Sequence, residues 1–183
     1  MKTIKEKQVG AFDALKNQRG YTNPMQVPRV RSVSVSVGTG SFKDKKKCDV
    51  VMDRLAKITG QKPSPRSAKK AIASYKTRQG DVIGALVTLR GARATAFLEK
   101  IINVALPRTK DFRGISPTAI DEMGNITIGV REHTVFPETA DEDLKDVFGM
   151  GITITTTART RDEARAYLAH LGLPFAKEKR EEK

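Results

Sequence analysis

Two segments of this sequence alternate between aliphatic and small hydroxyl side chains, and that pattern limits the fold more than any other feature. Val33, Val35 and Val37 interleave with Ser32, Ser34 and Ser36 up to Gly38-Thr39-Gly40. Ile152, Ile154 and Thr156 interleave with Thr153, Thr155 and Thr157. Successive side chains on a strand point to opposite faces, so each segment predicts a half-buried β-strand. One face is aliphatic and needs cover. The other carries only short hydroxyls and leaves room for the backbone of another molecule to approach. Strands buried on both faces read as continuous apolar runs, so this alternation argues for an antiparallel sheet.

The cover is visible elsewhere in the chain. Ile4, Val9, Phe12 and Leu15 are spaced for a helix from Lys5 to Asn17. Ser41 and Asp44 have cap spacing ahead of a helix that buries Val51, Leu55 and Ile58 and that Gly60 stops. Ala94, Phe97, Leu98, Ile101 and Ala105 predict a helix from Arg93 to Leu106, ended by Pro107. Thr160 and Glu163 form a capping box before a helix that buries Ala164, Tyr167, Leu168 and Leu171. QKPSPRSAKK reads as a basic loop, and Ala71 to Arg78 with Val82 to Arg90 as a hairpin whose tip includes Gln79-Gly80-Asp81. Ile126 to Val130 reads as a short strand. The expected fold class is α+β, an antiparallel sheet with helices packed on one face and the other face open. A chain of 183 residues suggests one domain over 1–175, with 176–183 as a disordered tail. Seven Phe, three Tyr and no Trp mean that aliphatic side chains fill the core.

The net charge of +13 is unevenly spread. Residues 1–80 hold 19 Lys and Arg against 5 Asp and Glu, whereas 81–183 hold 15 against 16. From Arg54 to Gly80 there are eight basic residues (Arg54, Lys57, Lys62, Arg66, Lys69, Lys70, Lys76 and Arg78) and no acid. Uncompensated positive charge repels itself unless a polyanion neutralises it. Nucleic-acid phosphate is the natural neutraliser, because each contact also releases condensed counterions. A solvated basic face is the plainer alternative. An anionic membrane fits less well, because Pro63 and Pro65 break any amphipathic helix here. No apolar run reaches the ~18 residues of a membrane span, and the N-terminus has no secretory apolar core. A soluble, cytoplasmic protein is the expectation.

Chemistry has little to work with. The single cysteine, Cys48, has no partner for a disulfide or a zinc site and reads as an ordinary helix residue. His133 has no second histidine at metal-ligand spacing, and His170 sits near a helix C-terminus, where the helix dipole favours it. Gly38-Thr39-Gly40 matches neither glycine-rich phosphate motif and reads as a tight turn or a contact with RNA backbone. The carboxylates from Glu138 to Asp146 are too dense for an acid/base pair and suit a partner contact or a solvated face. The expectation is no enzyme, no cofactor and no metal.

A series of short motifs then resembles one family in unbroken order. They are Asn23-Pro24-Met25-Gln26-Val27-Pro28-Arg29-Val30, Ile58-Thr59-Gly60-Gln61-Lys62-Pro63, Lys76-Thr77-Arg78-Gln79-Gly80 with Ile83-Gly84, and Val87-Thr88-Leu89-Arg90-Gly91. Downstream follow Ala105-Leu106-Pro107-Arg108, Asp111-Phe112-Arg113-Gly114, Gly124-Asn125, Gly129-Val130-Arg131-Glu132, Val135-Phe136-Pro137-Glu138 and Ile152 to Ala158. Together they resemble large-subunit ribosomal protein five, the universal 5S-rRNA-binding family, in its bacterial form. The resemblance implies an α+β protein of the central protuberance that binds 5S rRNA with its sheet face and adjacent loops. It further implies contact with peptidyl-site tRNA through a basic hairpin, with 23S-type rRNA, and with neighbouring ribosomal proteins, including one of the small-subunit head across a bridge.

Carried over by position, the 5S-rRNA contacts fall on Ser36, Gln61 and Thr88, with Arg29, Lys62 and Arg90 as phosphate neighbours. The tRNA-contacting loop falls on Ser74, Tyr75, Lys76, Thr77, Arg78 and Gln79. Arg108 to Gly114 and Arg131 to Thr134 are the candidate bridge segments. Ser36 departs from the family, whose members tend to carry Asn two residues before the first glycine.

Overall fold

The alternating segments become neighbouring strands of a five-stranded sheet. The computed structural model describes residues 3–40, 45–139 and 147–176. Its strands are β1 (Val30–Gly38), β2 (Ser64–Ser67), β3 (Val82–Leu89), β4 (Ile126–Val130) and β5 (Met150–Thr156), hydrogen-bonded in the order β2-β3-β1-β5-β4. Its helices are α1 (Ile4–Val9), α2 (Ala11–Arg19), α3 (Lys45–Thr59), α4 (Gly91–Lys100), α5 (Leu106–Arg108) and α6 (Arg161–Leu171). The sheet is antiparallel, and the class is α+β. Thr157 N–H donates to Arg29 O while Ser36 Oγ donates to Gly151 O, which runs β1 and β5 in opposite directions.

The two faces differ as the alternation demands. Val33, Val35, Val37, Ala85, Val87, Leu89, Ile126, Ile128, Ile152 and Ile154 are buried. Ser34, Ser36, Thr88, Thr127, Gly129, Gly151, Thr153 and Thr155 are half-buried or exposed. Ser32 breaks the pattern and is buried.

The chain packs into two compact units, one drawn from Met1–Val33, Arg90–Ile128 and Thr153–Lys183, the other from Ser34–Leu89 and Gly129–Ile152. In the second, α3 packs on β3 through Val51, Leu55 and Ile58, all buried. In the first, α1, α2, α4 and α6 pack together. Lys7 Nζ donates to Leu171 O at 2.9 Å, placing a cation at the negative end of α6. His170 Nε2 meets Lys7 O at 2.9 Å and ties the same helix end to α1.

Two helices and one helix cap differ in detail from expectation. The helix foreseen from Lys5 to Asn17 is two, because Gly10 closes α1 and opens α2. Glycine holds a helix interior less well than alanine by about 0.5–1 kcal/mol, so the break falls there. The helix expected to end at Pro107 runs on to Arg108 through a π-helical stretch, Ile101–Ala105. Proline lacks the N–H and crowds the carbonyl four residues back, and a widened turn just ahead of it relieves both. At α6 the Thr160 hydroxyl accepts from Glu163 N–H as foreseen, but the Glu163 carboxylate accepts from Arg159 N–H (2.8 Å) and Tyr21 O–H (2.7 Å). The reciprocal half of the capping box is thus displaced by one residue. The cap expected at Ser41 and Asp44, most of the acidic segment 138–146 and the tail 177–183 lie outside the described residues.

Tyr167 is fully buried, and its hydroxyl makes no well-formed hydrogen bond. Burial pushes its pKa up to about 12, a rise that the nearby Val30 backbone and Gln8 side chain only partly offset. Burial and the Glu163 carboxylate raise Tyr21 as well. Ionisation is penalised only in the folded chain, so stability is complete below the ordinary tyrosine pKa near 10 and falls as pH rises towards the folded values. Replacing Tyr167 with Phe removes an unsatisfied hydroxyl and should stabilise the protein by about 1 kcal/mol at neutral pH. It should also lessen the alkaline loss. Urea unfolding at pH 7 and above pH 10 checks both, and a destabilised variant would refute the reading of this hydroxyl.

Candidate nucleic-acid interface

The basic stretch is organised by a strand that the sequence does not announce. β2, Ser64–Ser67, pairs antiparallel with β3 in the register Ser64↔Leu86, Pro65↔Ala85, Arg66↔Gly84 and Ser67↔Val82, with an irregularity after Arg66. This corrects the hairpin read from sequence: its first strand is Ser64–Ser67, and Ala71 to Arg78 is its loop. β2 is a sheet edge, where proline is tolerated because no further strand needs its missing N–H. All four residues are exposed, so no alternation betrays them.

Past β2 the ladder closes once more. Ala68 N–H donates to Asp81 O (2.8 Å), and Gly80 N–H to Ala68 O (3.0 Å). Asp81 also accepts from Arg78 N–H through Oδ2 at 2.8 Å. Gln79-Gly80-Asp81 is therefore the foot of the loop, and its tip lies between Ile72 and Thr77. Those two residues exchange backbone bonds of 3.0 and 3.2 Å around a 3-10 turn, Ala73–Tyr75, and Lys76 takes a left-handed conformation at φ 53°. The Thr77 hydroxyl donates to Tyr75 O. Ser74, Tyr75, Lys76, Arg78 and Gln79 are exposed, and Thr77 is half-buried.

Burial sorts the eight cations of the run. Arg54 is interior, its Nη1 3.4 Å from His133 Nε2. Lys57 pairs with Asp53 at 2.9 Å. The remaining six, Lys62, Arg66, Lys69, Lys70, Lys76 and Arg78, are exposed. Arg54 thus leaves the exposed basic set and joins a buried cluster that sequence reasoning missed. There His133 stacks on Phe148 with ring centroids 4.2 Å apart, and its Nδ1 accepts from Phe148 N–H. An arginine at a core position of α3, in step with Val51, Leu55 and Ile58, was the available signal.

Gln61 and Thr88, 27 residues apart, are brought together: Gln61 Nε2 donates to Thr88 O at 3.4 Å. The left-handed Gly60 turns the chain out of α3, and the Thr59 hydroxyl fixes that turn by donating to Leu55 O. Lys62 follows, exposed. Ser36 is exposed on β1, and its Oγ donates to Gly151 O at 3.3 Å. A Cβ on Gly151 would lie 3.2 Å from that Oγ, so the two positions are closely packed. In the other unit, Arg29 is exposed with its backbone pinned to Thr157, and its Nη2 lies 3.1 Å from Met25 Sδ. Met25 sits on the Pro24–Gln26 turn, where the Asn23 side chain accepts from Met25 N–H and Gln26 Oε1 from Thr22 N–H. Arg90 is exposed just before α4. No group of three metal-ligating side chains occurs among the described residues, and no helix among them is long and apolar enough to cross a membrane.

Comparison with known proteins decides the family. Residues 23–78 match the model of ribosomal protein L5, and residues 82–175 match the model of the same ribosomal family's C-terminus. The chain belongs to the ribosomal protein L5 family. Relatives named large ribosomal subunit protein uL5 include that of Anaeromyxobacter sp. strain K, 47% identical over 88% of this chain and 90% of its own. That of Rubrobacter xylanophilus is 49% identical over 88% and 91%, and that of Halothermothrix orenii 51% identical over 85% and 87%. The boundary between the two L5 matches falls at the foot of the basic loop, so both strands that carry the loop are L5 sequence.

Exposed charges without buried contacts contribute little to the fold. Replacing Lys69, Lys70, Lys76 and Arg78 together with Ala should move the unfolding free energy by less than about 0.5 kcal/mol. Urea unfolding of the variant measures this, and a large loss would make these residues structural.

Proposed function

We propose that this ribosomal protein is a structural constituent of the large subunit that docks its hydroxyl-lined strands and their basic flank on 5S rRNA in the central protuberance. The observation that carries the reading is six exposed cations from Lys62 to Arg78, with no acid among them, beside strands whose outer positions are mostly serine, threonine and glycine. Short hydroxyls let a phosphate backbone come close, and lysine and arginine neutralise it. Serine, threonine and glutamine can both donate to and accept from ribose hydroxyls and phosphates. Ser36, Gln61 and Thr88 are the proposed hydrogen-bonding contacts, with Lys62, Arg29 and Arg90 at phosphates. The loop from Ala68 to Asp81 reaches peptidyl-site tRNA. Phosphate contacts position without reading sequence, which suits a site that accepts every tRNA. Arg108 to Gly114 and Arg131 to Thr134 are proposed for the small-subunit bridge, and 23S-type rRNA and neighbouring ribosomal proteins complete the surroundings. The role needs neither cofactor nor catalysis, and its place is the cytoplasmic ribosome.

The purified protein should bind 5S rRNA at least about tenfold more tightly than an unrelated RNA of equal length, with affinity falling steeply as salt rises. Equal affinity for both RNAs in competition would count decisively against the proposal. Lys76→Ala with Arg78→Ala should weaken tRNA retention at the peptidyl site and leave 5S binding nearly intact. Loss of 5S binding as well would mean that the loop serves the other RNA.

A further inference from the structure

Of the loop's cations only Lys76 lies in its tip. Its outermost turn, Ala73–Tyr75, holds no charge, and the largest side chain there, Tyr75, is 76% exposed. Ile72, which opens the turn, is 47% exposed. An aromatic ring this exposed contributes little to folding, and simple electrostatic docking does not require it. Nor is the turn slack. The paired bonds between Ile72 and Thr77, the Lys76 N–H bond to Ala73 O and the Thr77 hydroxyl on Tyr75 O hold Tyr75 in a closed six-residue loop. The ring's backbone is ordered before any partner arrives, so little backbone entropy remains to be lost on contact.

We infer that Tyr75 is a stacking platform for an exposed nucleobase, or the face of a terminal base pair, in the folded RNA that the loop reaches. Two features choose RNA as the occupant. The turn is set in a run from Lys62 to Arg78 that contains six exposed cations and no acid, which attracts a polyanion and repels a basic protein surface. A flat ring carried by such a cationic stem also matches how proteins hold unstacked bases, with every base offering a π-face whatever its identity. The neighbouring cations Lys69, Lys70, Lys76 and Arg78 then neutralise phosphates on either side, and the ring supplies contact that salt does not screen. This deepens the proposed tRNA contact and rests on it.

The two contributions separate in a salt titration. Ribosomes whose large subunits carry variant chains are titrated with deacylated tRNA at the peptidyl site over a range of monovalent salt. Tyr75→Ala should weaken binding by between about five- and a hundredfold at every salt concentration, leaving the slope of log affinity against log salt unchanged. Tyr75→Phe should bind within about twofold of the parent, because the ring is kept. Lys76→Ala with Arg78→Ala should flatten the slope by roughly one to two. If Tyr75→Ala binds like the parent while the double variant is weakened, the platform is overturned and the tRNA contact stands. If neither variant changes tRNA binding, both fall. If Tyr75→Phe is as weak as Tyr75→Ala, the hydroxyl is the contact, and stacking is again overturned.

Discussion

Much in this protein follows from strands that bury their aliphatic side chains and, among the described residues, keep mostly short side chains half-buried or exposed on the other face. An antiparallel strand gives half of its side chains to each face, and here the aliphatic half is spent on the core. Ile152 and Ile154 are fully buried, as are Val33 and Val35. The outer half is held largely to serine, threonine and glycine, with Val82 and Leu86 the aliphatic exceptions on β3. A face so composed gains little from hydrophobic burial. It offers hydrogen bonds and closeness, which is what a ribose-phosphate backbone uses.

The second constraint is the placing of charge. Cations in one short stretch repel one another, and a floppy loop would let them spread. The ladder from Ser64↔Leu86 to the Ala68 and Asp81 bonds keeps the stem paired close to its turn. Asp81 sits at the foot and spends its carboxylate on the Arg78 backbone N–H, so the nearest acid stabilises the turn. The Arg78 side chain remains exposed.

Much of this was legible in the sequence because it rests on periodicity. Val33 to Val37 and Ile152 to Thr156 announce strands by period two, and Leu55, Ile58, Tyr167 and Leu168 announce helix faces by near-fourfold spacing. Most of what escaped has no period. β2 is four exposed residues with a proline among them, and its strand character comes from β3 alone. Arg54 has the period of α3's buried face, in step with Val51, Leu55 and Ile58, but in sequence its charge reads ahead of that position. The juxtaposition of Gln61 and Thr88 depends on one left-handed glycine and on how α3 lies over β3. The family motifs name both residues by resemblance, but no local pattern places them side by side.

Ser36 and Gly151 lie across from each other on β1 and β5, the hydroxyl resting on the glycine's carbonyl. Because a single added carbon at 151 would come within 3.2 Å of that oxygen, the two positions share one fixed allowance of space. In a lineage they are a linked pair: a side chain added at 151 requires the one at 36 to give way by a few tenths of an ångström. The small side chain at 36 is therefore a property of two sites, and its history is to be read at 151 as much as at 36.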